Sequence, residues 1–176
     1  LSSSDFFTGA FPAEFGNALS GVFDLRFRKG NDEKRETTIG AGFLGVEFAS
    51  EGPFSKKSDA SYLFNYRFST LSILNALNVK VAGDALPTYQ DLSFNLNFKS
   101  ERFGDFNVFG VGGITKADFQ TEYEDEPNTA DQEIDEAATG TIGFKHLKFV
   151  NQNGYLKTVG VVGLSDTRYK YNLIEN

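Results

Sequence analysis

The chain has 176 residues and a net charge of −7, long enough to bury a core as one domain and too acidic for a nucleic-acid-binding face. With no cysteine and a single histidine, it offers no disulfide framework, no thiolate metal site and no histidine pair for a metal. No apolar run approaches the roughly 20 residues of a membrane helix, which leaves open a membrane β-barrel, whose strands need only about 9–11 residues with every second one apolar.

Nineteen Phe and seven Tyr stand against no Trp, and 18 Gly against four Pro. The absence of Met and the ending NLIEN lead us to expect a piece of a longer protein. No signal-peptide pattern is present in the stretch.

Leu1–Ala10 has no clear period. Phe11–Gly30, FPAEFGNALSGVFDLRFRKG, begins as glycine-punctuated turn and ends as strand. From Val22 on, Phe23, Leu25 and Phe27 alternate with Asp24, Arg26 and Arg28. The stretch reads as a junction between a compact segment, residues 1–21, and a sheet, residues 22–176. Glu36–Ser50 reads either as one long strand or as a hairpin folded at Gly45; no Asn-Gly or Asp-Gly marks a fold-back, so one strand is expected. Gly52–Asp59 is a short polar turn.

The next strand gives the clearest signal. Ala60, Tyr62, Phe64, Tyr66 and Phe68 share one face, and Asp59, Ser61, Asn65, Arg67 and Ser69 the other, with Leu63 the exception. After a long loop, Asn75–Tyr89, the pattern returns: Leu92, Phe94, Leu96 and Phe98 alternate with Asp91, Ser93, Asn95, Asn97 and Lys99. Large aromatics opposite a nearly all-polar face fit a sheet with apolar surroundings on one side and water on the other.

Ser100–Asp105 is a tight turn. Phe106–Phe119 is a glycine-rich strand whose faces the pattern does not assign, since Phe109 and Val111 compete with Phe106, Val108 and Ile114. Gln120–Ala137 is expected as a loop, because Lys116–Ala137 holds nine acidic residues against one lysine. Thr139–Val150 and Tyr155–Tyr171 are strands joined by a turn at Asn151–Gly154.

The count is seven strands. Short turns fall on one edge of an up-and-down sheet and long loops on the other, as in outer-membrane barrels. Bacterial single-chain barrels have even strand numbers, so the expected fold is all-β: part of an antiparallel up-and-down transmembrane β-barrel.

GAFPAEFGNALSGVFDLRFRKGN resembles the end of the plug domain of TonB-dependent outer-membrane receptors, where the plug hands over to the first barrel strand. The resemblance rests on Gly16, on Ala18-Leu19-Ser20-Gly21-Val22 and on the strand ending in Lys29-Gly30. The Phe-Pro-Ala-Glu-Phe-Gly-Asn spelling is most similar to the Bacteroidetes branch. EGPFSKKSDASYLFNYRFSTLSIL is similar to that branch's second turn and third barrel strand, including Gly52-Pro53 and Arg67. The SLYGSRAANG-like spelling of the glycan-importing subfamily is missing, so no glycan substrate carries over. Specific resemblance covers roughly residues 9–74.

The resemblance implies the C-terminal end of a plug at residues 1–21 and the N-terminal part of a 22-stranded barrel at 22–176. It implies a Gram-negative outer-membrane importer driven through TonB, with a surface lipoprotein as a further partner. It implies no enzymatic activity, no cofactor and no catalytic residue. Gly16, Gly21, Arg26 and Arg28 would form the plug–barrel junction. Asn65, Arg67, Asn95 and Asn97 would face the lumen, where the arginines could pair with carboxylates such as Glu14. Tyr62, Phe64, Tyr66, Phe68, Leu92, Phe94, Leu96 and Phe98 would face lipid. The ligand is not set by these residues. The alternatives are a soluble β-barrel or β-sandwich binding module with the aromatics in its core, and an outer-membrane segment serving as a structural component or client of a larger assembly.

Three sharper motifs weigh little. Gly40–Gly45 spells GxGxxG, but that fingerprint needs a helix opening at the glycines, and VEFASEGP follows instead. Asp125, Asp131 and Asp135 could contribute to a hard-cation site, but lack calcium-loop spacing. His146 is expected on the polar face or near a turn, with no spacing that supports a triad.

Overall fold

A computed structural model describes residues 3–9, 11–16, 20–42, 45–56, 59–71, 87–122 and 129–175. The fold is all-β. Two short strands, β1 (Ser3–Phe7) and β2 (Val22–Arg26), form an antiparallel pair. Seven further strands form one antiparallel sheet in strict sequence order: β3 (Glu36–Gly42), β4 (Gly45–Pro53), β5 (Ser61–Ser69), β6 (Thr88–Ser100), β7 (Gly104–Glu122), β8 (Thr129–Asn151) and β9 (Gly154–Glu175).

The sequence count of seven matches this sheet in number but not in membership. Val22–Arg26 alternates as expected, yet it pairs with Ser3–Phe7, Phe6 stacking on Phe23 at 4.3 Å. Two like charges, Asp5 and Asp24, stand directly opposite in this pair, and Arg26 lies between them, 2.8 Å from Asp24 and 3.7 Å from Asp5. The first strand of the large sheet is therefore Glu36–Gly42.

The single strand expected over Glu36–Ser50 is two. Gly42 pairs with Gly45, so the chain reverses between them and β3 lies along β4. Gly42 and Gly45 are themselves strand residues, and the two positions between them lie outside the described residues. The expected loop at Gln120–Ala137 is mostly strand, with only 123–128 lying between β7 and β8. Like charges argued against packing there, but in a strand successive residues point to opposite faces. Glu136 thus leaves Asp135 and stands within 3.4 Å of Lys116 and 4.0 Å of Lys170.

The loop-length asymmetry changes form accordingly. The edge holding the 70–87 connection also holds the two-residue reversal at Gly42–Gly45, so its connections are not uniformly long. What differs between the ends is strand length: β7, β8 and β9 run for 19, 23 and 22 residues. The opposite edge carries the turns at 101–103 and 152–153. Gly104 closes the first at φ +91°, a conformation that excludes most side chains, and Asn151 accepts from the Asn153 amide in the second.

Candidate functional site

The pairing register fixes which side chains share a face, because directly opposed residues point the same way. From β4 to β8, one row runs Phe48, Tyr66, Leu92, Gly112, Gly140; the next runs Ser50, Phe64, Phe94, Gly110, Ile142. All eight residues expected to face lipid therefore lie on one face of the large sheet. The register extends that face to Ile39 and Val46 on one side and to Val162 and Leu164 on the other. It also assigns the strand that the sequence left open: Phe106, Val108 and Ile114 join the apolar face, while Phe109 and Val111 take the polar one.

The apolar face is a band with two margins. Above Ile114 comes the row Lys116, Glu136, Arg168, and below Phe144 comes the row Phe106, His146, Thr158. The stretch between those two rows, Asn107–Thr115 on β7, is nine residues, the length a tilted strand needs to cross a bilayer core. Tyrosine hydroxyls on this face are occupied: Tyr66 donates to Gln90 at 3.0 Å, and Tyr62 lies 3.3 Å from the Ser50 hydroxyl. His146 is near a turn, as one expectation had it, but on the apolar face. It stacks on Phe106 at 4.6 Å, and its Nε2 lies 2.7 Å from the Phe103 carbonyl.

Burial is inverted relative to a water-soluble domain. Among the described residues, the buried hydrophobics are Ala60 and Leu71 alone, whereas Ser61, Ser69, Asn95 and Asn97 are all buried. Ile39, Phe48, Ile142, Phe144, Val162 and Leu164 are exposed, Leu164 at 78%. Total accessible area is 12919 Å², against roughly 8,500 Å² for a compact monomer of this mass.

At Asn95 and Asn97 the polar face is covered by the junction segment. Beyond β2, Phe27 meets Phe109 of β7 at 5.9 Å, and the Arg28 carbonyl accepts from Asn95 of β6 at 2.8 Å. Gly30 is buried directly against the Tyr62 carbonyl of β5, where any Cβ would collide with backbone. Arg28 then forks onto Glu51 of β4 with both terminal nitrogens, at 2.6 and 2.5 Å, and Glu51 also accepts from the Asn31 amide at 2.9 Å. That hydrogen bond from Arg28 to Glu51 raises the guanidinium pKa despite some desolvation. Asp32 is tied to Lys99 at 3.1 Å, which holds its carboxyl below the usual carboxylate range, first through the hydrogen bond and then through charge.

Of the residues expected at the junction, Arg28 thus touches the sheet, and Arg26 meets Asp24 and Asp5 in the β1–β2 pair. Gly16 follows the 3-10 turn Ala13–Phe15, and Gly21 lies under the Phe6 ring. The expected pairing with Glu14 falls on a side chain outside the described residues; the carboxylates observed on these arginines are Asp24, Glu51 and Asp91. Arg67 binds Asp91 of the neighbouring strand through Nε and Nη2 at 3.0 and 2.9 Å, its guanidinium over the Tyr89 ring, and Asn65 donates to Glu47 at 2.6 Å. Cross-strand geometry places these partners within reach, whereas sequence spacing could not name them.

Sequence reasoning missed Glu51, Gly30 and Asn107. Asn107 Nδ2 sits among the side-chain oxygens of Asn95 and Asn97 and the Leu96 carbonyl. Carrying the β6 dyad one register step into β7 would have found it. Gly40 and Gly42 lie in β3 and Gly45 opens β4, with no helix after them, so the dinucleotide fingerprint has no structural counterpart. Asp131 and Asp135 lie on β8, and Asp125 is outside the described residues. Among the described residues no group of three or more His, Asp or Glu is placed to hold a metal ion.

Comparison of the chain with protein-family models, with curated proteins and with solved structures found no match.

Proposed function

We propose that the chain is part of a TonB-dependent outer-membrane receptor, with the apolar band facing lipid and the polar face lining a lumen. One observation carries the membrane part of this reading: burial is inverted. Exposed Ile39, Phe48, Leu92, Ile142, Val162 and Leu164 share one face, where Ser50, Gln90 and Asp166 are polar members, and the side chains covered on the other face, Asn95 and Asn97, are polar. A soluble sandwich or barrel would turn the aromatics inward; here Phe48, Phe98 and Phe144 are on the surface. Strands β7–β9 continue far past the band with charged rows on the same face, which suits extension into an aqueous exterior.

The receptor part rests on the junction. The stretch whose sequence resembles a plug-to-barrel handover is the one that crosses the polar face and then swings round to β3. Import would proceed by capture of a ligand and movement of the plug under force from TonB, without covalent chemistry. A Ser20→Cys variant of the intact protein, labelled beside its parent, probes that movement. Cell fractionation should place the protein in the outer membrane, and the introduced thiol should label faster with a membrane-impermeant reagent when the inner membrane is energised. A protein found in a soluble fraction would remove the membrane assignment; labelling indifferent to energisation would remove the TonB-dependent one.

A further inference from the structure

We infer that Phe27–Asp32 is a fixed strap. It moves with the large sheet, so a displacement of the β1–β2 pair ends at the Arg26–Phe27 bond. As a statement of where plug movement stops, the inference rests on the receptor reading above.

The strap is fastened to β4, β5, β6 and β7 almost residue by residue. Phe27 meets Phe109 of β7 at 5.9 Å, and the Arg28 carbonyl accepts from Asn95 of β6 at 2.8 Å. The Arg28 guanidinium forks onto Glu51 of β4, and the Asn31 amide donates to the same carboxylate at 2.9 Å. Between them, Gly30 lies buried against the Tyr62 carbonyl of β5. Asp32 returns to β6 through Lys99 at 3.1 Å. The Asn31 side chain then fixes the exit. Its Oδ1 accepts from the Glu33 and Lys34 amides at 2.9 and 3.2 Å, an Asx turn, and its Nδ2 donates to Glu36 at 3.2 Å, where β3 begins. The strap is thus tied to the wall of the sheet along its length and runs directly into the first strand of that sheet.

The strand pair before it is built differently. β1 and β2 form a two-stranded sheet of their own, five residues a side, and Phe6, Phe23 and Leu25 are exposed. A two-stranded ribbon is marginal by itself, and segments with few buried apolar contacts are the ones that open locally. The change of construction falls within three residues. Arg26 ends β2 and reaches back to Asp24 at 2.8 Å, whereas Arg28 reaches forward to β4. A pull on β2 therefore loads the Arg28–Glu51 fork, the Asn95 hydrogen bond and the Gly30 packing together, and the weaker ladder before them yields first.

Hydrogen exchange of the intact protein in non-ionic detergent, read along a series of urea concentrations, tests this. The Asn31 amide should exchange with the ladder amides of β5 and β6, about tenfold or more slower than those of β1 and β2. Exchange of Asn31 together with β1 and β2, ahead of β5 and β6, would overturn the proposal. Thiol labelling in cells reads the same boundary. Ser20→Cys should respond to energisation and the exposed Lys29→Cys should not; a response at both positions would also overturn it. The exchange order is read without an energised membrane, so it can fail while the receptor assignment stands, and the reverse.

Discussion

Arg28 and Glu51 hold the junction segment through a geometry that a charge count would miss. The guanidinium meets both carboxylate oxygens, and a lysine offers a point charge without that fork. Arg28→Ala should cost about 1 kcal/mol, since Arg28 is half exposed and such pairs are screened by solvent. Arg28→Lys should restore little of it, and hydrogen exchange at the Asn31 amide should rise in both. Gly30→Ala is the harsher change, because the new methyl would stand on the Tyr62 carbonyl. The segment must lift off β5, with a loss of about 1–3 kcal/mol in line with overpacking elsewhere. Asp32 provides a pH readout. Its carboxyl is held below the usual range by Lys99, so this pairing is complete above about pH 3.9, the ordinary aspartate value, and is lost as pH falls through the lower folded value. An NMR titration should find the Asp32 midpoint below the ordinary one, and Lys99→Gln should move it back up.

At the scale of elements, β5 and β6 were legible because nothing interrupts their dyads; every residue from Leu92 to Asn97 lies on the face that the alternation assigned. β7 was not, because Gly110, Gly112 and Gly113 remove the side chains that would carry the period. Phe109 then adds an aromatic to the polar face, where it covers Gly143 of β8 and meets Phe27. That arrangement depends on contacts 34 and 82 residues away in the chain, which no local pattern encodes. The same holds for the acidic half of β8, where Lys116 and Lys170 from the strands on either side approach Glu136. The junction was legible as a change of texture, and its route over β6, β5 and β4 was not. If the band faces lipid, the two faces of β6 should respond oppositely to one substitution. Leu92→Arg should cost about 2–4 kcal/mol in vesicle-based unfolding, and Ser93→Arg on the polar face no more than about 1 kcal/mol.

Taken whole, the molecule exposes what a soluble protein hides. Its large sheet is open at β3 and β9, and the side chains from Tyr155 to Leu173 along β9 are exposed throughout. A long edge with unpaired backbone groups is a template for pairing with another strand. The fold leaves the ligand undetermined, since fold alone does not set cargo. The membrane assignment can be tested without it. The chain has no tryptophan, so single tryptophans placed at Phe64 and Phe144 on the apolar face, and at Phe109 on the polar one, report their surroundings without background. With the protein reconstituted in vesicles containing lipids brominated along the acyl chain, fluorescence from positions 64 and 144 should be strongly quenched and that from 109 spared. Equal quenching at all three positions, or a chain that stays in water and shows none, would contradict the account.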